Sequence, residues 1–187
     1  MEPYFKRLML ITGISGIGKT TVFTRVAEYF RLHGYVVQGF VSAEIRVNGV
    51  RVGFEIKNLY TGERGILAHV NQNEGPMLGK YRVNLNSLSK IGSSSIDSAF
   101  ESADLIAVDE VGPMELYSNS FKVALKRAVG SKKPMLCTIH ARARDSLIGY
   151  IKSRKDAALF EVTVTNRETL HEQIIGVILE ILKLKTT

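Results

Sequence analysis

Short apolar runs alternate along this chain with stretches of helical spacing, and the alternation predicts its elements. Arg7–Thr12 (RLMLIT) reads as a strand buried on both faces. Between Thr20 and His33, Val22, Phe23, Val26, Ala27 and Phe30 recur three and four residues apart, which predicts a helix that stops at Gly34. Tyr35–Val47 and Val50–Lys57 are rich in valine, isoleucine and phenylalanine and flank Asn48–Gly49, a hairpin turn signal. Further buried strands are predicted at 104–109, 134–139 and 158–163, with helices at 118–129 and 167–184. Strands alternating with helices argue for an α/β fold with a mostly parallel sheet, the hairpin being an insertion or an edge. The chain shows no internal repeat and no long low-complexity stretch, so residues 1–187 are expected to form a single domain.

Composition narrows the classes. The chain is 187 residues long, 45 % hydrophobic and 23 % charged, enough apolar material for a sizeable core. The one cysteine, Cys137, cannot form an internal disulfide, and with four scattered histidines it cannot build a zinc cluster. No apolar run approaches the roughly 20 residues needed to cross a bilayer. The opening MEPYFKRLMLITG is too short in apolar residues for a signal peptide, so a cytoplasmic protein without a membrane partner is expected. The net charge of +7 concentrates in residues 122–155, where ten basic side chains face one acid. Such a segment either attracts phosphates or nucleic acid, or is a set of solvated helix faces.

The chemistry enters at Gly13–Thr20, GISGIGKT, which fits G-x-x-x-x-G-K-[ST]. Gly13, Gly16 and Gly18 let the backbone curl so that successive N–H groups, including those of Ile14, Ser15 and Ile17, face phosphate oxygens. The helix starting near Lys19 adds its positive end to the same point. Lys19 is placed to reach the β and γ phosphates, and the Thr20 hydroxyl to ligate Mg²⁺. A strand before the loop and an amphipathic helix after it supply the context the motif needs.

Such a site needs a second oxygen ligand and an acid to orient water. Leu105, Ile106, Ala107 and Val108 form an apolar run that ends in Asp109 and Glu110 and continues through Val111 to the turn at Gly112. As a parallel strand it delivers Asp109 to the sheet edge that holds the phosphate loop. Asp109 is the expected Mg²⁺ partner, Glu110 the expected general base, and Glu115 either a supporting contact or a cap. An acid directly after Asp109, and the lack of an N-K-x-D tetrad, favour hydrolysis over timed guanine-nucleotide switching. Thr138 and His140 end the strand containing Cys137 and are candidate γ-phosphate sensors. Arg64, in the glycine-flanked loop TGERG, is a candidate for stabilising developing charge.

These segments together resemble a known family, the small P-loop nucleoside-triphosphatases described from thermophiles and, in animals, as cancer-related nucleoside-triphosphatase. The resemblance rests on GISGIGKT, LIAVDEVGPMEL (105–116), VGFEIKNLYTGERGILA (52–68), TIH (138–140) and TNRETL (165–170), and it covers nearly the whole chain. It implies Mg²⁺-dependent hydrolysis of ATP, GTP, CTP and UTP with broad base tolerance, and nucleotide contacts from residues 13–20 and 105–112. It also implies a P-loop fold with a RecA-like sheet, in which one strand separates the phosphate-loop strand from the acidic strand and brings Thr138 near the γ-phosphate. Ile17 and Pro113 depart from the family's usual smaller and polar residues at their positions. Two other readings stay open: a P-loop kinase acting on a small molecule or nucleic-acid end, and a nucleic-acid-binding module switched by nucleotide.

Overall fold

A computed structural model describes residues 6–183, so the expected start of the chain at Met1 and the last residue of the predicted C-terminal helix lie outside the described residues. Nine strands form one sheet: β1 (Leu8–Thr12), β2 (Val37–Val47), β3 (Val50–Asn58), β4 (Arg64–His69), β5 (Met77–Leu78), β6 (Tyr81–Val83), β7 (Leu105–Val111), β8 (Met135–Ile139) and β9 (Ala157–Glu161). Their spatial order is β5-β6-β4-β3-β2-β7-β8-β1-β9. The run β2-β7-β8-β1-β9 is parallel, and β3, β4, β6 and β5 extend it antiparallel beyond β2. One strand, β8, does separate the phosphate-loop strand β1 from the acidic strand β7. This is the strand order expected of a RecA-like sheet.

The hairpin is larger than an insertion: it begins a four-strand antiparallel arm. Its turn, Asn48–Gly49, has φ of 49° and 78°, the left-handed pair the sequence predicts. Val37–Val41 of β2 pair with Leu105–Asp109 of β7, while Phe40–Val47 pair with β3. One strand is thus shared between the parallel core and the arm.

Six helices cover the sheet: α1 (Lys19–Leu32), α2 (Leu85–Ser87), α3 (Ser94–Ser102), α4 (Asn119–Gly130), α5 (Ser146–Ser153) and α6 (Leu170–Lys183). A π turn, Leu88–Ser93, joins α2 to α3, and the Asn84 side chain caps the start by accepting from the Ser87 N–H at 3.0 Å. Alternate residues of the central strands feed two cores. Met9, Ile11, Leu105, Ala107 and Leu136 pack with α1 and α6, and Leu8, Leu10, Ile106, Val108 and Cys137 pack with α3, α4 and α5. Burial pushes the Cys137 thiol up to about 12, so it behaves as a small apolar side chain. Among the described residues no helix is long and apolar enough to cross a membrane.

Four of the ten basic side chains in 122–155 make structural contacts. Arg127 pairs with Asp97 at 2.6 Å, and Lys133 donates to the Ala103 carbonyl at 2.7 Å. Lys152 donates to the His140 carbonyl at 2.9 Å, and Arg154 bonds Asp156 through two nitrogens, each at 2.9 Å.

Candidate active site

The loop between β1 and α1 has the conformation its glycines allow. Gly13, Gly16 and Gly18 sit at φ of 147°, 77° and 112°, where an L side chain is strained. A Cβ at Gly13 would also lie 3.0 Å from both Ile17 Cγ2 and the Val162 carbonyl. Ile17 is buried in the core shared with α1, so this departure from a smaller residue anchors the loop from below. Ile14 points outward and is 63 % exposed. Lys19 Nζ donates to the carbonyls of Gly13 and Ile14, both at 3.3 Å, which places the ammonium over the loop it is expected to serve.

On β7 the structure corrects the expected strand end: the strand runs to Val111, so Asp109 and Glu110 lie within it rather than at and after its last residue. Val108 pairs with Cys137 and Val111 with Ile139, so Asp109 and Glu110 together oppose only Thr138. An extra residue of this kind re-aims side chains beside a site. The peptide between Asp109 and Glu110 is cis.

Asp109 is 1 % exposed and accepts a bond from the Thr138 hydroxyl at Oδ1. Burial raises its carboxyl to about 6, against the hydroxyls of Thr138 and Thr20 and the charge of Lys19, which favour the ionised form. Its other oxygen, Oδ2, is buried without a protein partner. A bare carboxylate oxygen beside the Thr20 hydroxyl fits a hard divalent cation that keeps several non-protein ligands, as Mg²⁺ does. Among the described residues no group of three or more His, Cys, Asp or Glu side chains forms an all-protein metal cage.

Glu110 is partly exposed and lines a cleft of about 700 Å³ with Ser15, Gly16, Gly18, Lys19 and Thr20. Glu115 is 4 % exposed and accepts from the Gly112 N–H at 3.1 Å, closing the turn after the strand. Its carboxyl is pushed up to about 8, by burial first and by the charges of Glu110 and Asp109 as well, so it is largely protonated at neutral pH.

The remaining candidates separate. Thr138 joins Asp109 and Thr20, and His140 lines the cleft, its N–H donating to the Val111 carbonyl at 3.1 Å. Leu105, Ile106, Ala107, Val108 and Val111, expected to contact nucleotide, are 0 % exposed and pack in the cores, so they carry the acids rather than line the cleft. Arg64, expected in a loop, opens β4 and pairs with Glu55 at 2.8 Å, and it is not among the residues lining the cleft.

Two arginines on the hairpin, Arg46 and Arg51, do line it, and sequence reasoning gave them no role. Their signal was Glu44, Arg46 and Arg51 clustered about Asn48–Gly49. On the opposite flank of the loop, Arg167 Cδ lies 4.0 Å from where a side chain at Gly18 would begin.

Comparison with known proteins agrees with this geometry. The model of the NTPase family matches residues 8–175. The chain is 43 % identical over 166 residues to "Nucleoside-triphosphatase THEP1" of Thermofilum pendens, covering 88 % of this chain and 91 % of that one. It is 42 % identical over 165 residues to the protein of the same name from Methanosarcina acetivorans, covering 88 % and 92 %. Among solved structures, THEP1 of Aquifex aeolicus superposes with a TM-score of 0.83 at 27 % identity, over 91 % of this chain and 98 % of that one. A human cancer-related nucleoside triphosphatase superposes at 0.80 with 31 % identity, over 93 % and 98 %. The glycine cradle under Lys19 and the buried acid facing Thr20 are thus set in a sheet these enzymes share, and the chain belongs to the P-loop NTPase family, as a nucleoside-triphosphatase.

Proposed function

We propose that the protein hydrolyses nucleoside triphosphates (ATP, GTP, CTP and UTP) to the diphosphate and phosphate, with Mg²⁺ as cofactor and little choice of base. The observation that carries this reading is the bare, buried Oδ2 of Asp109 near the Thr20 hydroxyl of the phosphate loop. The backbone N–H groups of residues 13–20 and the Lys19 ammonium bind the β and γ phosphates and stabilise charge that builds on them. Thr20 and Asp109 would hold Mg²⁺, which would screen the charge of the phosphate oxygens. Glu110, partly exposed at the cleft wall, accepts the proton of the attacking water. Thr138 orients Asp109 through its hydroxyl bond, and His140, on the cleft wall, is the candidate γ-phosphate sensor. The chain carries no N-K-x-D tetrad, in keeping with loose base selection.

Phosphate release from the common ribo- and deoxyribonucleotides, with and without Mg²⁺, tests this directly. Glu110→Gln keeps nucleotide affinity and lowers turnover by roughly 10²–10⁴, the range of a lost general base. Hydrolysis by Glu110→Gln at the parent rate would remove Glu110 from the mechanism.

A further inference from the structure

The cleft extends well beyond the phosphate loop: it measures about 700 Å³ and runs from that loop across Glu110 to the hairpin arm. Val162 and Arg167, which flank the loop on its other side, are not among its walls. The far end of the cleft lies against the hairpin arm, away from the phosphate loop. Its walls there are Phe54, Leu67, Leu78 and Met114, with Arg51 beside them. This combination of apolar surface and a few fixed polar groups, in a volume within the range of small-molecule sites, is what an organic ligand needs.

Arg51 is held in place before any ligand arrives. Its Nη1 donates to Glu44 at 2.7 Å and its Nε to the Tyr81 hydroxyl at 3.0 Å. The guanidinium stands 5.0 Å from the Phe54 ring centre and 5.8 Å from that of Tyr81. These bonds use two of its three nitrogens and leave Nη2 for a ligand. Arg46 differs, because its Nε and Nη2 both hold Glu44 and its Nη1 holds the Gly49 carbonyl. Arg46 thus fixes Glu44, Glu44 fixes Arg51, and the local charge of two arginines against one glutamate remains positive.

We infer that the hairpin end of this cleft is a second binding subsite, for a small organic anion with an aromatic or apolar body, and that Arg51 is the residue that reads its charge. The inference rests on the phosphate loop holding the nucleotide, as in the reading above. The residues that line this end belong to the arm and to the turn after β7 rather than to the phosphate loop, so nucleotide and anion bind together rather than in competition.

Phenyl phosphate is a suitable probe, titrated calorimetrically into the full chain with Mg²⁺ and with or without saturating AMP-PNP. The expected result is binding in both conditions, weakened roughly tenfold or more in Arg51→Gln, the effect of losing a charge-assisted bond. Arg51→Lys, which keeps the charge but not the fork, falls between. Arg127→Gln, which removes the same charge on α4, binds like the parent. Displacement of phenyl phosphate by AMP-PNP, or equal affinity in Arg51→Gln with an unchanged melting curve, would overturn the inference. Failure of AMP-PNP itself to bind would count against the nucleotide reading instead, and the titration without nucleotide would still compare Arg51→Gln with its parent.

Discussion

Replacing Thr138 by valine removes one hydroxyl from a buried site while preserving side-chain shape, so its effect falls on Asp109 and hardly on packing. The hydroxyl donates to Oδ1 and favours the ionised carboxylate, so its loss raises the Asp109 pKa. A hydrogen bond to a charged group contributes about 1.5–3 kcal/mol, equivalent to about 1–2 units, which moves the carboxyl from about 6 to about 7–8. At pH 7 the ionised fraction of the nucleotide-free protein then falls from about 90 % to about 10–50 %. Only the ionised form is ready to bind a divalent cation, so the Mg²⁺ concentration giving half-maximal hydrolysis rises about 2- to 10-fold at pH 7. At pH 9 both proteins are mostly ionised and the difference shrinks to less than about twofold. The assay is phosphate release against Mg²⁺ concentration at both pH values. A deficit of the same size at pH 7 and pH 9, or none at either, would refute the assignment of Thr138 as the residue that keeps Asp109 charged.

Two further tests address stability. Glu115 protonates more readily folded, at about 8, than in the unfolded chain, where its ordinary value is 4.5, so the folded state is favoured at low pH and loses that advantage as pH rises through about 8. Glu115→Gln, which stays neutral and still accepts from the Gly112 N–H, is expected to gain thermal stability over its parent progressively from pH 5 to pH 9. A constant difference in melting temperature across that range would contradict a buried, protonated Glu115. Gly39, at φ 132°, passes so close to β7 that an added Cβ would lie 1.8 Å from the Ala107 carbonyl oxygen. Gly39→Ala forces β2 and β7 apart and costs about 3 kcal/mol or more in urea unfolding; a loss below about 1 kcal/mol would mean that the pairing adjusts freely.

Much of the catalytic half of the site is legible in the chain because its information is local. Gly13–Thr20 is contiguous, and the run Leu105–Val108 needs only its own periodicity to show where Asp109 goes. The arm is different. β5 and β6 have two and three residues, too few to display alternation, and the π turn at Leu88–Ser93 has no simple spacing. Arg64 misleads for a related reason: glycine neighbours suggest a loop, but pairing with Lys57 across β3 makes it a strand residue. Arg46 and Arg51 sit in a hairpin whose turn is plain from the sequence. Their place in the cleft depends on β2 lying beside β7, a partnership between residues some 68 positions apart that no local pattern encodes.

That shared strand has a mechanical meaning. β2 pairs with the parallel sheet through Val37–Val41, and from Ser42 onward its strand partner is β3. The arm is braced beyond that point, because Ile56, Leu67, Ala68, Tyr81 and Val83 share one core with Leu88, Ile91 and Ile96, and the Tyr117 hydroxyl donates to the Met77 carbonyl at 3.1 Å. Its root, Val41, is in register with Asp109. A change in the pairing of Val41 is therefore felt one strand away, at the buried acid that accepts from Thr138.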